Sequence, residues 1–496
     1  MRVMSVIHVA IQFILFINTV SYSSQAVWPQ FRGPGGLGIA PDTKAYPTEL
    51  DLKRNLLWKT SLPEGHSSPC IWEDRMFITA RSDEMLETIC LDRRNGKIQW
   101  RQTVKPEEWE KIMNANSYTT PTPVCDGERV YIYSGSFGLA AYDLDGHEKW
   151  KKPLPIPGIQ YGSGSSPIVV KNLVIINCEP KSKNDGYVLA LNKDTGETAW
   201  ECKHLSSLEA SWSTPVIWKH GNQEELIITG SKSVTSYELS SGKQRWQLPG
   251  LPMRTTVTPL ATDDTLYVAA TGSIHSDPAN PASAPDFNDV LEEHDANGDQ
   301  KLTPDEIPED LVLIDRLGPI FAVKRFFRSY DVDEDGALNA KDWKEAEAWL
   351  KKRWGGNREL DILMAIPAHH VGDATEQSVK WTVHEGVSSV ASPLCYQNRI
   401  YLVKHGGIFT CLEAVSGNKI YTDKLGASGY YTSSPVAADN KIYICSWKGT
   451  VTIIQAGDTL NILSQTKLGE RINATPALVD GKVYLRTAKH MMAFGG

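Results

Sequence analysis

Oxygen-bearing side chains recur at a fixed spacing in two twelve-residue windows, Asp295–Glu306 and Asp331–Asp342. In the first, Asp295, Asn297, Asp299, Thr303 and Glu306 occupy positions 1, 3, 5, 9 and 12; in the second, Asp331, Asp333, Asp335, Asn339 and Asp342 do so. Position 7 is Lys301 in one and Ala337 in the other, where a main-chain carbonyl can serve. A hard cation such as Ca²⁺ takes about six to eight oxygens at short range, and this alternation wraps a loop around one ion.

The windows start 36 residues apart, and apolar runs enter both: Phe287, Val290 and Leu291, then Phe321, Val323, Phe326 and Phe327. That is the order helix–loop–helix requires. The stretch resembles a pair of EF-hands, which implies bound calcium. It departs from the family pattern twice. Gln300 stands at position 6, where the turn has positive φ and favours Gly. Asp342 stands at position 12, one methylene shorter than Glu306 in the first window. Each departure predicts a weakened site; the plain alternative is an acidic, solvated helical insert.

The rest of the chain must carry this stretch. Its 496 residues have a formal net charge of −8. Residues 285–356 hold 18 acidic and 10 basic side chains and so account for the whole imbalance. No basic stripe points to nucleic acid or to an anionic membrane surface. Residues 1–26 read as an export signal: Arg2, an apolar Val6–Val20 run, then Ser24-Gln25-Ala26 as a cleavage point. No later run is long enough to span a bilayer, and no Cys follows the apolar run to take a lipid. The protein is expected to be periplasmic, on the cell surface or secreted. Eight scattered cysteines read as buried thiols; Cys395 with Cys411 is the pair to test for a disulfide. No CxxC or Cys/His cluster suggests zinc.

Outside the acidic stretch the chain is a repeat. Ser/Thr-Pro-apolar steps fall at Pro69, Pro123, Pro167, Pro215, Pro259, Pro393, Pro435 and Pro476, with gaps of 54, 44, 48, 44, 134, 42 and 41 residues. The one long gap holds the insert. Each step precedes short β-like runs such as Arg129–Tyr133 and Ile400–Val403, then a Gly turn and an aromatic: Gly96/Trp100, Gly196/Trp200, Gly242/Trp246, Gly417/Tyr421. Gly supplies the φ > 0 of a tight connection, and the aromatic can pack on the next unit. About four strands per 40–50 residues is a propeller blade.

With its A-x-D-x-x-T-G-K-x-x-W type motif, seen at Ala190–Trp200, the chain resembles the pyrroloquinoline-quinone-like (PQQ-like, quinoprotein-like) β-propeller repeats, from about residue 55 onward. Trp28-Pro-Gln-Phe-Arg-Gly-Pro34 looks like exported bacterial members. Units around Trp381 and after Tyr443 lose the Gly-to-Trp spacing. The last unit has room for three strands, and Asn55–Lys59 can supply the fourth. The expectation is an all-β, eight-bladed propeller closed by an N-terminal strand, with a small α-helical insertion in blade 5. Its parts are 1–26 signal, 27–54 lead, 55–273 blades 1 to 5, 274–359 insertion and 360–496 blades 5 to 8.

Strand order places the insert on the face that bears the segments leading into each Ser/Thr-Pro. Those leads supply Tyr118, Tyr161, Trp212, Arg254, Tyr431 and Arg471 as a candidate ligand or partner face, or as packing of the channel. Three functions follow. One is a non-catalytic, exported, calcium-binding propeller. The second, implied by the resemblance, is a PQQ-dependent dehydrogenase of alcohols or sugars; its metal ligands and Asp base cannot be assigned here, and adjacent cysteines are absent. The third is an envelope scaffold for protein assembly. A Gly-x-Ser-like turn at Tyr161–Ser165 lacks a strand-to-helix setting, and His369-His370 is a surface pair.

Overall fold

Proline cannot donate to a β-ladder, so a Ser/Thr-Pro step belongs just before a strand at a sheet edge. That is where each one lies. In the computed structural model, the first strand of every blade starts directly after the proline, at Cys70, Val124, Ile168, Val216, Leu260, Leu394, Val436 and Ala477. The structure describes residues 26–495 apart from 114, 160, 180–185, 204–210, 253–254, 272–284, 310, 314–321, 355–360 and 369–377. The signal segment 1–25, Arg254, Phe321 and His369-His370 lie outside the described residues.

Eight antiparallel sheets stand around one axis, seven of four strands and one of five. Blade 1 shows the plan, with strands A to D at Cys70–Trp72, Arg75–Ser82, Met85–Asp92 and Ile98–Val104. Val27–Trp28 adds a fifth strand on its inner edge, Trp28 opposite Ile71. In blade 8, strands Ala477–Val479, Lys482–Arg486 and His490–Gly495 are completed by Leu56–Ser61, in antiparallel register with Thr60 opposite Met491. The N-terminal strand therefore supplies the outer strand that blade 8 lacks and closes the ring.

Core side chains fill the spaces between neighbouring sheets. One cluster takes Tyr131, Leu139 and Trp150 from blade 2 and Val174, Ile176 and Leu189 from blade 3. The Gly turn and the aromatic form a clasp between blades. Trp150 Nε1 donates to Lys193 O at 2.9 Å in the next blade, over the turn at Gly196. Trp58, Trp100, Trp200 and Trp381 repeat the bond to Arg93, Leu144, Leu239 and Ala414. Trp246 differs. Its Nε1 donates instead to Glu225 at 2.7 Å within its own blade.

The insert leaves strand B of blade 5, Thr265–Ala270, and returns as strand C, Ile362–Pro367. Ala270 and Ile362 are paired partners, so the ladder closes at the base of the insert as it would at a hairpin. Its helices are α1 (Phe287–His294), α2 (Phe327–Tyr330) and α3 (Ala340–Trp354). They pack on their own cluster of Phe287, Leu302, Phe327, Tyr330, Leu338 and Trp343. All eight cysteines are free thiols. Cys395 and Cys411 sit on strands A and C of blade 6, separated by Arg399–Lys404, so that pairing is not formed.

Candidate functional site

The eight repeat hydroxyls converge on the axis. Ser68, Thr122, Ser166, Thr214, Thr258, Ser392, Ser434 and Thr475 all line one channel. Seven hydrogen bonds link them blade to blade: the N–H of Ser68 donates to Thr122 Oγ1 at 3.0 Å, and that of Thr122 to Ser166 Oγ at 2.9 Å. Ser166 to Thr214, Thr258 to Ser392, Ser392 to Ser434, Ser434 to Thr475 and Thr475 to Ser68 follow at 2.9–3.1 Å. Seven of the eight oxygens, all but that of Thr258, accept a main-chain N–H in this way, which satisfies an otherwise orphan donor beside a proline. The hydroxyl protons remain available as donors.

The channel has a floor. The segment from Trp28 to Ala40 crosses the inner strands: Pro29 O accepts from Cys125 N in blade 2, and Ala40 N donates to Ala437 O in blade 7. Arg32 reaches Pro393 O in blade 6, and Phe31 lines the channel. Above the hydroxyl ring the leads form the mouth, with Tyr161, Trp212, Tyr430, Asn116, His66 and Asn473 around a cavity of about 190 Å³. The mouth opens on the face from which the insert emerges, because B–C loops and D-to-A leads share that face.

The aromatic walls are held firmly. Trp212 Nε1 donates to Gly162 O at 2.7 Å, and its ring meets Tyr161 edge-on at 5.8 Å. Tyr430 stacks on His405 at 3.6 Å between centroids. His405 in turn accepts from Tyr431 N at 3.1 Å and meets Ser389 Oγ at 2.8 Å. Tyr161 leads into blade 3 and Tyr430 into blade 7, on opposite sides of an eightfold ring.

Behind the mouth lie two buried carboxylates. Glu110 accepts from Ser163 N and Oγ at 2.7 and 2.9 Å. Glu179 accepts from Gly164 N and Ser165 N at 3.0 and 3.2 Å and from the Tyr133 hydroxyl at 3.2 Å. Burial raises both, Glu179 to about 7, with the negative charge of Glu110 adding to it. Together they fix the Gly162–Ser165 turn, whose Gly162 carbonyl accepts the Trp212 indole N–H. His66 meets Asn473 Nδ2 at 2.7 Å, and burial beside Arg486 lowers it to about 3, so it is neutral.

Of the sequence-derived face, Tyr161 and Trp212 line the mouth. Tyr118 lies beneath the Arg81 guanidinium, 4.7 Å from its ring, next to Trp109. Arg471 covers Trp447 at 5.1 Å. Tyr431 is fully buried in the blade core, its hydroxyl donating to Ala427 O at 2.6 Å. Sequence reasoning did not single out the hydroxyl ring, Phe31, His66, Tyr430 or Asn473 as site residues. The ring was present in the repeat as its invariant hydroxyl, but the side on which adjacent tyrosines fall depends on the local twist of each lead.

In the insert, the two windows share three main-chain bonds to the carboxylates at positions 1 and 12, from positions 2, 6 and 9, and differ at one. Leu302 and Leu338, position 8 of each, exchange N–H···O bonds of 2.9 and 2.8 Å. Asp295 accepts from Gly298 N and Gln300 N; Asp331 accepts from Asp335 N and Gly336 N. Glu306 accepts from Ala296 N and Thr303 N, and Asp342, though shorter, accepts the equivalent Val332 N and Asn339 N, both at 3.1 Å. Gln300 takes φ of 64°, as Gly336 takes 88° at the same position. Carboxylate oxygens of Asp331, Asp333 and Asp335 lie within 4.8 Å of one another and could share a cation. Asn297 and Asp299 bond each other, Thr303 Oγ1 donates to Glu306, and Asn339 Nδ2 reaches Asp333. The Lys301 ammonium bridges to Asp335 across the two windows, and Ala337 N donates to the same Asp335 carboxylate.

A tricarboxylate such as PQQ needs cationic partners in a dry site. The described channel lining has no Asp, Glu, Lys or Arg, so these residues do not fit that cofactor.

Comparison with known proteins places the fold. The sequence profile of the family described as outer membrane protein assembly factor BamB matches residues 48–283. No curated protein matches the chain in sequence. Among solved structures, a europium-containing methanol dehydrogenase aligns at TM-score 0.57 and 11% identity, over 95% of this chain and 98% of its own. BamB from Moraxella catarrhalis aligns at 0.53 and 12%, over 88% and 98%. Quinohemoprotein alcohol dehydrogenase from Comamonas testosteroni aligns at 0.53 and 12%, over 95% and 81%. Among the described residues, no helix is long and apolar enough to cross a membrane.

Proposed function

The chain is a PQQ-like eight-bladed β-propeller, and on that premise we propose that it is an exported, non-catalytic binding protein whose helical insert binds calcium. One observation carries the reading: the described lining of the channel mouth is hydroxyls, amides and aromatics, with no Asp, Glu, Lys or Arg, and its one imidazole, His66, is bonded to Asn473 and made a weak base by burial. Acid–base or nucleophilic chemistry needs a base within reach of the reacting group. The acidic Glu110 and Glu179 are committed to main-chain donors behind the mouth.

Calcium would be held by Asp331, Asp333, Asp335, Asn339, Asp342 and the Ala337 carbonyl in the second window. In the first, Asp295, Asn297, Asp299, Thr303, Glu306 and the Lys301 carbonyl would serve. It would replace the carboxylate–N–H bonds only in part, since one carboxylate oxygen can serve an N–H while the other meets the ion. The expected test result is a melting temperature that rises with Ca²⁺ and falls with chelator, as mass action requires. The same protein mixed with PQQ and Ca²⁺ should show no bound quinone chromophore and no dye reduction on alcohols or sugars. A bound chromophore with turnover would establish the dehydrogenase reading instead. The profile match favours a second reading, a scaffold for envelope protein assembly, with the partner on the insert-bearing face. A specific protein recovered from envelope extract, lost when that face is altered, would support it.

A further inference from the structure

We propose that the channel mouth binds a neutral saccharide, resting on the reading of this channel as a ligand site. A sugar ring presents apolar C–H faces and a rim of hydroxyls that both donate and accept. A site for it needs aromatic plates, closely placed neutral polar groups and no uncompensated charge. The mouth supplies each of these.

Trp212 and Tyr430 are the plates. Both rings are pinned by contacts that leave the site preorganised: Trp212 by its bond to Gly162 O and its edge contact with Tyr161, Tyr430 by the His405 stack. A rigid plate avoids the side-chain ordering that otherwise weakens binding.

The polar groups have capacity to spare. Thr432 and Asn473 line the mouth, and their buried Oγ1 and Oδ1 have no hydrogen-bond partner among the described residues. A buried polar atom left unmade costs about 1–3 kcal/mol, so such atoms mark where water or a ligand is bound. Below them, ring hydroxyls such as those of Thr475 and Ser68 have accepted a main-chain N–H and can still donate. This is the donor and acceptor mixture that vicinal sugar hydroxyls match.

Charge decides the class. A uronate or a phosphorylated sugar would bury an anion where the described lining offers no cation, a large penalty. His66 is neutral in the folded protein and bonded to Asn473. A cavity of about 190 Å³ takes a sugar unit or a glycan end and excludes a folded partner.

The test titrates the full chain with neutral hexose, pentose and N-acetylhexosamine oligosaccharides and with matched uronic acid oligomers, followed by tryptophan fluorescence and calorimetry. At least one neutral series should bind, and its uronate counterpart should bind at least ~10-fold more weakly. Trp212→Ala should weaken binding by ~10-fold or more, and the near-isosteric Thr432→Val by ~3-fold or more with an unchanged melt. Uronates binding as tightly as neutral sugars, or binding unaffected by Thr432→Val and Trp212→Ala, would overturn the proposal. So would a wild-type protein that binds no saccharide at ~10 mM. The calcium melt and quinone assays stand apart from this result, so the broader reading would fail or survive on its own.

Discussion

At Gly196 the backbone has φ of 73°, and a Cβ built there would stand 2.7 Å from the Trp150 ring. The residue thus answers two demands at once, a left-handed turn and a close indole. Gly196→Ala should cost about 2–4 kcal/mol, combining backbone strain with displacement of the indole; equilibrium urea unfolding measures it. Glu179 gives a pH signature. Its folded-state pKa of about 7 lies above the ordinary carboxyl value of 4.5, so between these the native state keeps a proton that the unfolded state has lost. Stability contributed at this residue is therefore full below pH 4.5 and falls as pH rises to about 7, by about 3 kcal/mol at most. Glu179→Gln should flatten the melting temperature over that interval relative to wild type. An unchanged slope would mean that Tyr133 and the turn amides hold the carboxylate charged.

The insert behaves as an element with its own core, attached where Ala270 and Ile362 are already paired. Replacing residues 272–360 by a short Asn-Gly turn should leave the propeller's far-ultraviolet spectrum and cooperative melt in place while abolishing any calcium response. Loss of the cooperative melt would show that the propeller needs the insert to fold. Within the insert, the Leu302–Leu338 bonds join the two windows, so they should load together. Asp331→Asn should weaken calcium binding in its own window by ~10-fold or more and reduce it in the other; isothermal titration resolves the two. The Gln300 departure that the sequence exposed is accommodated by a left-handed residue at a strain of about 1–2 kcal/mol. The Asp342 departure is accommodated by geometry, since it makes the same two main-chain bonds as Glu306.

Across the whole molecule, closure is the central energetic device. Each blade buries its faces against two neighbours, and Leu56–Ser61 lets blade 8 do the same with blade 1. The N-terminal chain has a second task, since Trp28–Ala40 spans the axis and floors the channel. A truncation beginning at residue 62 removes both the fourth strand of blade 8 and the floor. It should lower the melting temperature by more than ~10 °C and expose an edge prone to association, visible by light scattering. The eight blades, their N-terminal closure and the place of the insert were legible because hydroxyl-Pro steps, Gly turns and aromatics recur at local spacing. The mouth was legible only in part. Tyr161 precedes Gly162 and Trp212 lies between Ser211 and Ser213, single aromatics among small residues in their leads, whereas Tyr430 and Tyr431 are neighbours whose sides are chosen by packing.

The sequence alone determined the ring, because its period, its turn residues and its incomplete last unit are short-range facts that each blade must obey. It also determined where oxygen-bearing side chains fall along each window of the insert. Tertiary structure decided what the channel is. Hydroxyls spread along the chain from Ser68 to Thr475 become one circle only when eight sheets share an axis. Likewise, whether a tyrosine faces solvent, ligand or core depends on which neighbouring blade it meets, a contact that no local spacing records.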